Sequence, residues 1–314
     1  MARNPVQFQK GMSEAAFDQK FGTEERCWAH LVEWRWPNGF ECPCCGGRKY
    51  CVVGYRRLFQ CSNCHSQASV TSGTIFASTK LPLKTWIRAI NHLTQTKGGI
   101  SSVELSRRLG VTQTTAWKLS HKLMQVMFER EHRRPLGGRV EMDDAYIGGK
   151  RTGGKRGRGA SGKVPFVAAV ETDDRSRPFR MKLCQVKGFR RAEIERLSKK
   201  ILLANSVVVT DGLPCFAGVT AAGCHHMHVV SSGRKAVQDS LFKWVNTMLG
   251  NVKSAMLGTY RAIRPKHVPR YLASFAYRFN RRFDLASMFT RLAWVAVRTP
   301  PMPYRLLKLA EDCA

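Results

Sequence analysis

The sequence predicts an α/β fold in its second half, a mixed sheet with helices on both faces, preceded by two small modules of different build. Three observations carry this. Strand-like and helix-like stretches alternate after about residue 137. Two Cys-x2-Cys pairs, Cys42–Cys45 and Cys61–Cys64, enclose fifteen residues. A Gly-containing turn at Gly110 separates two helical patterns.

The chain of 314 residues is long enough for two or three domains, and its 43% hydrophobic content suits a globular core. No apolar run approaches the roughly 20 residues of a membrane span. The N-terminus, MARNPVQFQKGMSEAAFDQK, lacks the apolar centre of a signal peptide, so a cytoplasmic location is expected. With 52 Lys and Arg against 22 Asp and Glu, the net charge is +30. Such a charge strains a compact state by self-repulsion and implies a polyanionic partner. The basic residues are interleaved with aromatics, as in RWPNGF and YRFNRRF, which favours nucleic acid; a membrane surface would need an amphipathic anchor.

Segment 1–40 is read as helical, with Phe17, Phe21, Cys27, Leu31 and Trp34 at helical spacing and an interruption near Gly22-Thr23. Segment 41–70 has the spacing of a zinc ribbon. Cys42, Cys45, Cys61 and Cys64 would hold one structural Zn²⁺, with a hairpin turning near Gly54 between the pairs. Disulfides are the alternative, disfavoured in a reducing compartment. Segment 80–130 holds a helix over Leu83–Thr94, a helix SVELSRRL capped by Ser101-Ser102 and ended by Gly110, and a further helix from VTQTTAWKLSHKLMQVM. Helix, short turn, helix is the helix-turn-helix order, and Gln113, Thr114, Thr115, Lys118 and His121 would face a major groove. An ordinary helical hairpin has the same pattern.

Pro135-Leu136-Gly137-Gly138 marks a boundary before segment 137–260. The strand RVEMDDAYI opens it. Alternation puts Glu141 and Asp143 on one face and Asp144 on the other. Three acids in four positions are unusual in so basic a chain; a solvated strand end and a divalent-metal site are the two readings. The loop KRTGGKRGRGASGK follows, whose Lys150, Arg151, Lys155, Arg156 and Arg158 could track phosphates, or simply be solvated. Strands VPFVAAVE and PFRMKLCQV, helix RAEIERLSKKILLA, strand SVVVT ending in Asp211-Gly212, strand MHVV, and a long helix from about Gln238 to Leu257 complete a ribonuclease-H-like order. Segment 261–314 is basic and helical. Its Tyr271, Phe275 and Phe279 are expected in the core, leaving Arg278, Arg281 and Arg282 for DNA or a partner.

In this order the strands of Asp143 and Asp211 are neighbours, so two carboxylates remote in sequence would meet. Held close they repel unless a cation joins them. Mg²⁺ suits this, and a pair of ions would activate an attacking oxygen and stabilise a leaving one in phosphodiester displacement. The long helix offers no carboxylate at the third position. Asn246 could supply an amide oxygen, and Lys253, seven residues on, shares its helix face. Asp239 reads as a cap. HHMH at 225–228 reads as structural or DNA-facing, and Cys184, Cys215, Cys224 and Cys313 as ordinary thiols.

The order zinc ribbon, helix-turn-helix, VEMDDAYIGGKR, GKRGRGASGK, VVVTDG, VNTMLGNVKSAMLGTY and RYLASFAYRFNRR resembles one group of bacterial insertion-sequence transposases, related to the Merlin transposons and part of the wider Asp-Asp-Glu class. The likeness runs from about Phe17 to Phe283. It implies a ribonuclease-H-like fold, Mg²⁺, and the terminal inverted repeats of the chain's own element as substrate, with target DNA as second partner. It implies Asp143, Asp211 and Asn246 as the catalytic set and Lys253 as accessory. The pairing of two ends implies at least a homodimer, and DNA work in a bacterium implies association with the nucleoid. Two other readings use the same residues: a non-catalytic DNA-binding protein, to which the neutral Asn246 lends weight, and a structure-specific nuclease on the same fold.

Overall fold

The computed structural model describes residues 6, 9–54, 57–148, 162–229, 242–260 and 262–310. The chain forms two compact units, Met1–Val126 with Phe283–Ala314, and Met127–Arg282. The division falls inside the C-terminal stretch 261–314.

In the first unit, α1 (Glu14–Phe21) and α2 (Glu24–Arg35) start from local caps. Ser13 Oγ accepts from Ala16 N at 3.1 Å, and Thr23 Oγ1 from Arg26 N at 3.3 Å. Gly22 ends the first helix and Thr23 begins the next, at the interruption expected near Gly22-Thr23. β1 (Tyr50–Val53), β2 (Leu58–Cys61) and β3 (Gln67–Ala68) form a small antiparallel sheet. Trp28, Trp36, Phe40 and Phe59 pack beside it. α3 (Leu83–Gln95), α4 (Ser102–Leu109) and α5 (Gln113–His132) follow, the residues of α5 from Met127 on belonging to the second unit. Ser101 caps α4, and Gly110, at φ +65°, ends it in the left-handed region that glycine tolerates. Thr112 Oγ1 then accepts from Thr115 N at 3.3 Å to start α5. α9 (Leu285–Ala296) returns to this unit, where Phe289 meets Phe17, Phe21 and Trp34 with ring centroids 5.0–6.2 Å apart. The last helix is α10 (Tyr304–Leu309).

The second unit is built on five strands: β4 (Arg139–Ile147), β5 (Val164–Thr172), β6 (Pro178–Gln185), β7 (Val207–Thr210) and β8 (His225–His228), in the order β6-β5-β4-β7-β8. β4–β5 and β5–β6 are antiparallel; β4–β7 and β7–β8 are parallel. Strand alternation sorts the side chains between two cores. Phe166, Ala168, Val170 and Val209 face α7 (Lys243–Thr259) and α8 (Val268–Asn280). Val140, Met142, Val167, Ala169 and Val208 face α6 (Arg191–Ile201) and the 3-10 helix Pro214–Ala222. The sheet is therefore mixed and covered on both faces.

Several details differ from the sequence reading. β8 covers HHMH, two residues before the expected MHVV. Its edge position leaves three of its four residues exposed, so no apolar run marked it. The expected start of α7 near Gln238, and Asp239, lie outside the described residues. Tyr271, Phe275 and Phe279 pack against the α7-side core as expected. Arg278, Arg281 and Arg282 are not left over for DNA. Arg278 is buried and donates to Ser274 Oγ at 2.7 Å. Arg281 is paired with Glu131, and Arg282 donates to the carbonyls of Pro178, Phe179 and Phe279. At the end of α8 these cations satisfy free carbonyls and a carboxylate, a demand that composition alone does not reveal. Among the described residues, no helix is long and apolar enough to cross a membrane.

Candidate functional site

Parallel pairing of β4 with β7 creates the acidic site. Their register ends at Met142 opposite Thr210. The next residue on each chain is an aspartate, Asp143 and Asp211, so both leave the same end of the pairing. Each carboxylate is held by a following amide: Asp144 N donates to Asp143 Oδ1 at 2.8 Å, and Leu213 N to Asp211 Oδ1 at 3.0 Å. Gly212, at φ +83°, makes the turn between.

Asp144 joins them. One carboxylate oxygen from each of Asp143, Asp144 and Asp211 lies within 4.8 Å of the others, and all three residues are half-buried. Alternation along β4 had put Asp144 on the opposite face. β7 has already ended at this level, so no strand separates the two faces there and the Asp144 carboxylate reaches the group. Burial pushes the Asp143 carboxyl up to about 6; the Asp211 and Asp144 charges add to the rise, while the Asp144 amide and Lys253 oppose it. Lys253 on α7 is thus within electrostatic reach of Asp143. Asn246, one residue past Val245, is exposed on the same helix. Its Nδ2 donates to Phe242 O at 3.0 Å, which turns Oδ1 away from the helix backbone.

Glu141, the third acid of the strand, has a different place. It is 1% exposed. Its Oε2 accepts from Trp244 N and Val245 N, at 2.9 and 3.0 Å, and its Oε1 from Arg139 Nη1 at 3.0 Å. Strand alternation gives its face, but its helix partners, Trp244 and Val245, arrive about a hundred residues later in the chain.

The four cysteines of the ribbon also converge. Ligand atoms of Cys42, Cys45, Cys61 and Cys64 lie within 4.8 Å of one another. The Sγ atoms of Cys42 and Cys64, and of Cys45 and Cys61, are 3.6 Å apart, far beyond a disulfide. Tetrahedral zinc with bonds of about 2.3 Å sets thiolates about 3.8 Å apart, so the set fits that ion. The knuckle amides help: Cys44 N approaches Cys42 Sγ, and Asn63 N approaches Cys61 Sγ, each at 3.4 Å. Amides of Cys64 and Asn63 hold the Cys61 thiol down at about 7, favouring thiolate. Cys44 and Cys51 are exposed and outside the cluster. The donor set fits a structural zinc ion.

Of the residues expected to face DNA, Gln113 and Thr114 are exposed at the start of α5, while Thr115 and Lys118 are half-buried. Gln113 Nε2 donates to Ser102 Oγ at 2.8 Å, and Lys118 Nζ sits 4.3 Å from the Tyr304 ring centroid. His121 is fully buried and stacked on Trp117, 4.0 Å between centroids, because it shares a helix face with Trp117 and the buried Met124 and Gln125, three and four residues away. Lys150, Arg151, Lys155, Arg156 and Arg158 lie outside the described residues.

Comparisons with known proteins bear on both sites. Residues 135–280 match a family described as the ISXO2-like transposase domain, and residues 22–67 a transposase zinc-ribbon domain. An uncharacterized protein in transposable element ISH50 of Halobacterium salinarum is 28% identical over 150 residues, 45% of this chain and 49% of that protein. The match therefore spans about half the length of that relative. Among solved structures, the Mos1 transposase paired-end complex with left transposon end and the Mos1 mariner paired end complex with Mn each share 12% identity. Each covers 64% of this chain and 78% of its own, at a TM-score of 0.22.

Proposed function

Because the chain belongs to the insertion-sequence transposases with an N-terminal zinc ribbon, we propose that it binds the terminal inverted repeats of its element and catalyses Mg²⁺-dependent cleavage and transfer of DNA strands. The observation that carries this reading is the meeting of Asp143, Asp144 and Asp211 at one end of the β4–β7 pairing, with Lys253 close by.

The residues fit a magnesium ion. They are hard oxygen donors, partly buried, and their mutual repulsion is what raises Asp143 beyond the effect of burial. Asp143 and Asp211 would be the principal ligands of a pair of such ions, and Asn246 Oδ1 a neutral one. When bound, the metal lowers the cost of charge on the attacking and leaving oxygens. The chain's own side chains do the rest. Lys253 meets a nonbridging phosphate oxygen or the charge that develops there. Buried walls exclude water from one side of the carboxylates, strengthening each interaction.

The strand order, with three antiparallel strands extended by two parallel ones, supports a ribonuclease-H-like catalytic domain. α4 and α5 would serve as a helix-turn-helix, with Gln113, Thr114, Thr115 and Lys118 nearest the groove and Lys150, Arg151, Lys155, Arg156 and Arg158 on phosphates. The net charge of +30 supports DNA as the partner. Joining two element ends requires a homodimer or larger assembly in the complex. The test is incubation with Mg²⁺ and DNA carrying the inverted repeats that flank the reading frame. Strand nicking at the repeat ends that disappears in Asp143→Asn and Asp211→Asn is expected. Footprinting without nicking, in Mg²⁺ and in Mn²⁺, would leave only a DNA-binding protein.

A further inference from the structure

We infer that Glu141 is a positioning residue: it ties the helix bearing Asn246 and Lys253 to the strand bearing Asp143. The inference rests on the catalytic reading above.

A helix leaves its first N–H groups without intrahelical partners, and a nearby Ser, Thr, Asp or Asn usually accepts one of them. Among the described residues, none of these caps α7. Phe242 precedes it and makes no side-chain cap. The carboxylate of Glu141, 103 residues earlier than Trp244, takes the amides of Trp244 and Val245 instead. The positive end of the helix dipole and the Arg139 guanidinium compensate a negative charge that is otherwise removed from water.

Location gives the contact its meaning. On β4, Glu141 is two residues before Asp143 and shares its face. On α7, Val245 is next to Asn246, and Lys253 follows on the same side two turns later. One buried carboxylate therefore joins the two elements just beside the reacting groups. A cap serving stability alone could sit on any neighbouring loop. A cap from this strand also fixes how far the helix stands from the aspartates, and misplacement by about 1 Å can cost a hundredfold in rate.

The test uses the full-length protein, Mn²⁺ as the metal probe and the end-containing DNA. Glu141→Ala removes the acceptor. Glu141→Gln keeps an oxygen for the two amides but sets an NH₂ against Arg139, and covers the case in which the alanine variant does not fold. Asp143→Asn is the reference. Measurements are made at a temperature where circular dichroism shows each protein fully folded. Glu141→Ala is expected to bind Mn²⁺ about tenfold more weakly and to cleave about 10- to 100-fold more slowly, and Glu141→Gln, whose NH₂ opposes Arg139, to lose in the same direction by a smaller factor, with DNA affinity unchanged. A purely stabilising role predicts wild-type Mn²⁺ affinity and cleavage once the variant is folded, and that result overturns the inference. If Asp143→Asn cleaves like wild type, or wild type does not cleave, the catalytic reading fails and this one with it. An inactive Asp143→Asn beside a folded, fully active Glu141 variant removes only the positioning role.

Discussion

Asn280 holds both backbone groups of Met181: its Oδ1 accepts from Met181 N at 2.8 Å and its Nδ2 donates to Met181 O at 3.0 Å. One amide side chain thus imitates a neighbouring strand along the outer side of β6, the edge of the sheet. Asn280→Leu leaves those groups without partners and is expected to cost about 1–3 kcal/mol in urea unfolding. An unchanged midpoint would show that the mimicry contributes nothing to stability.

Three carboxylates held within 4.8 Å repel when no cation is present. Mg²⁺ should therefore raise the melting temperature of the wild type by mass action. Asp143→Asn removes one of the charges, so in chelator it should melt at the wild-type temperature or above, and it should lose the rise on adding Mg²⁺. An undiminished rise in the variant would place the ion elsewhere.

Lys253→Gln keeps the length of the side chain but removes its charge. If Lys253 meets the phosphate, strand cleavage should fall about 100-fold while the circular dichroism spectrum is unchanged. Cleavage at the wild-type rate would leave Lys253 with no part in the reaction.

The zinc site binds in a module whose own core is a few aromatic rings around Phe59. Structural zinc supplies about 10–16 kcal/mol of folding free energy in modules of this kind. Freshly purified protein should contain one zinc per chain. Cys61→Ser should lose it, together with the near-ultraviolet signal of Trp28 and Trp36, which pack against Phe59. Elemental analysis finding no zinc in folded wild type would refute the site.

His267 is 6% exposed, and its Nδ1 faces Arg270 Nη1 at 3.3 Å. Burial, with Arg270, Lys266 and Arg264 adding to it, pushes the imidazole down to about 4. In the unfolded chain it titrates near 6.5. Between those values the unfolded state binds a proton that the folded state refuses, so stability falls as pH drops from about 6.5 towards 4, by on the order of 2 kcal/mol. His267→Gln should flatten that part of the stability–pH curve, whatever its offset. A parallel curve would mean that other groups set the slope.

What could be read in advance was whatever a residue declares through its own spacing. Cys42, Cys45, Cys61 and Cys64 declare a metal by interval, and apolar alternation declares β4 and the parallel strand before Asp211. Partners chosen by tertiary approach left no such mark. Glu141 reads as one acid of a cluster until the first turn of α7 arrives on it. Alternation places Asp144 on the face away from Asp143, because nothing local says where the adjoining strand stops. Arg278, Arg281 and Arg282 look like spare cations, yet they are consumed by Ser274, Glu131 and strand carbonyls. His121 reads as polar and outward, whereas the helix repeat turns it into the core.

Phe289 completes the aromatic group of Phe17, Phe21 and Trp34, although some 250 residues separate it from them in the chain. During synthesis, then, the amino-terminal helices leave the ribosome long before the ring that closes their core. The whole five-stranded unit is made in the interval. Until residue 289 emerges, those rings lack the one ring that meets all three, which makes the nascent amino-terminal half a client for holding chaperones and makes any early stop codon more damaging than the position of the aspartates alone would suggest.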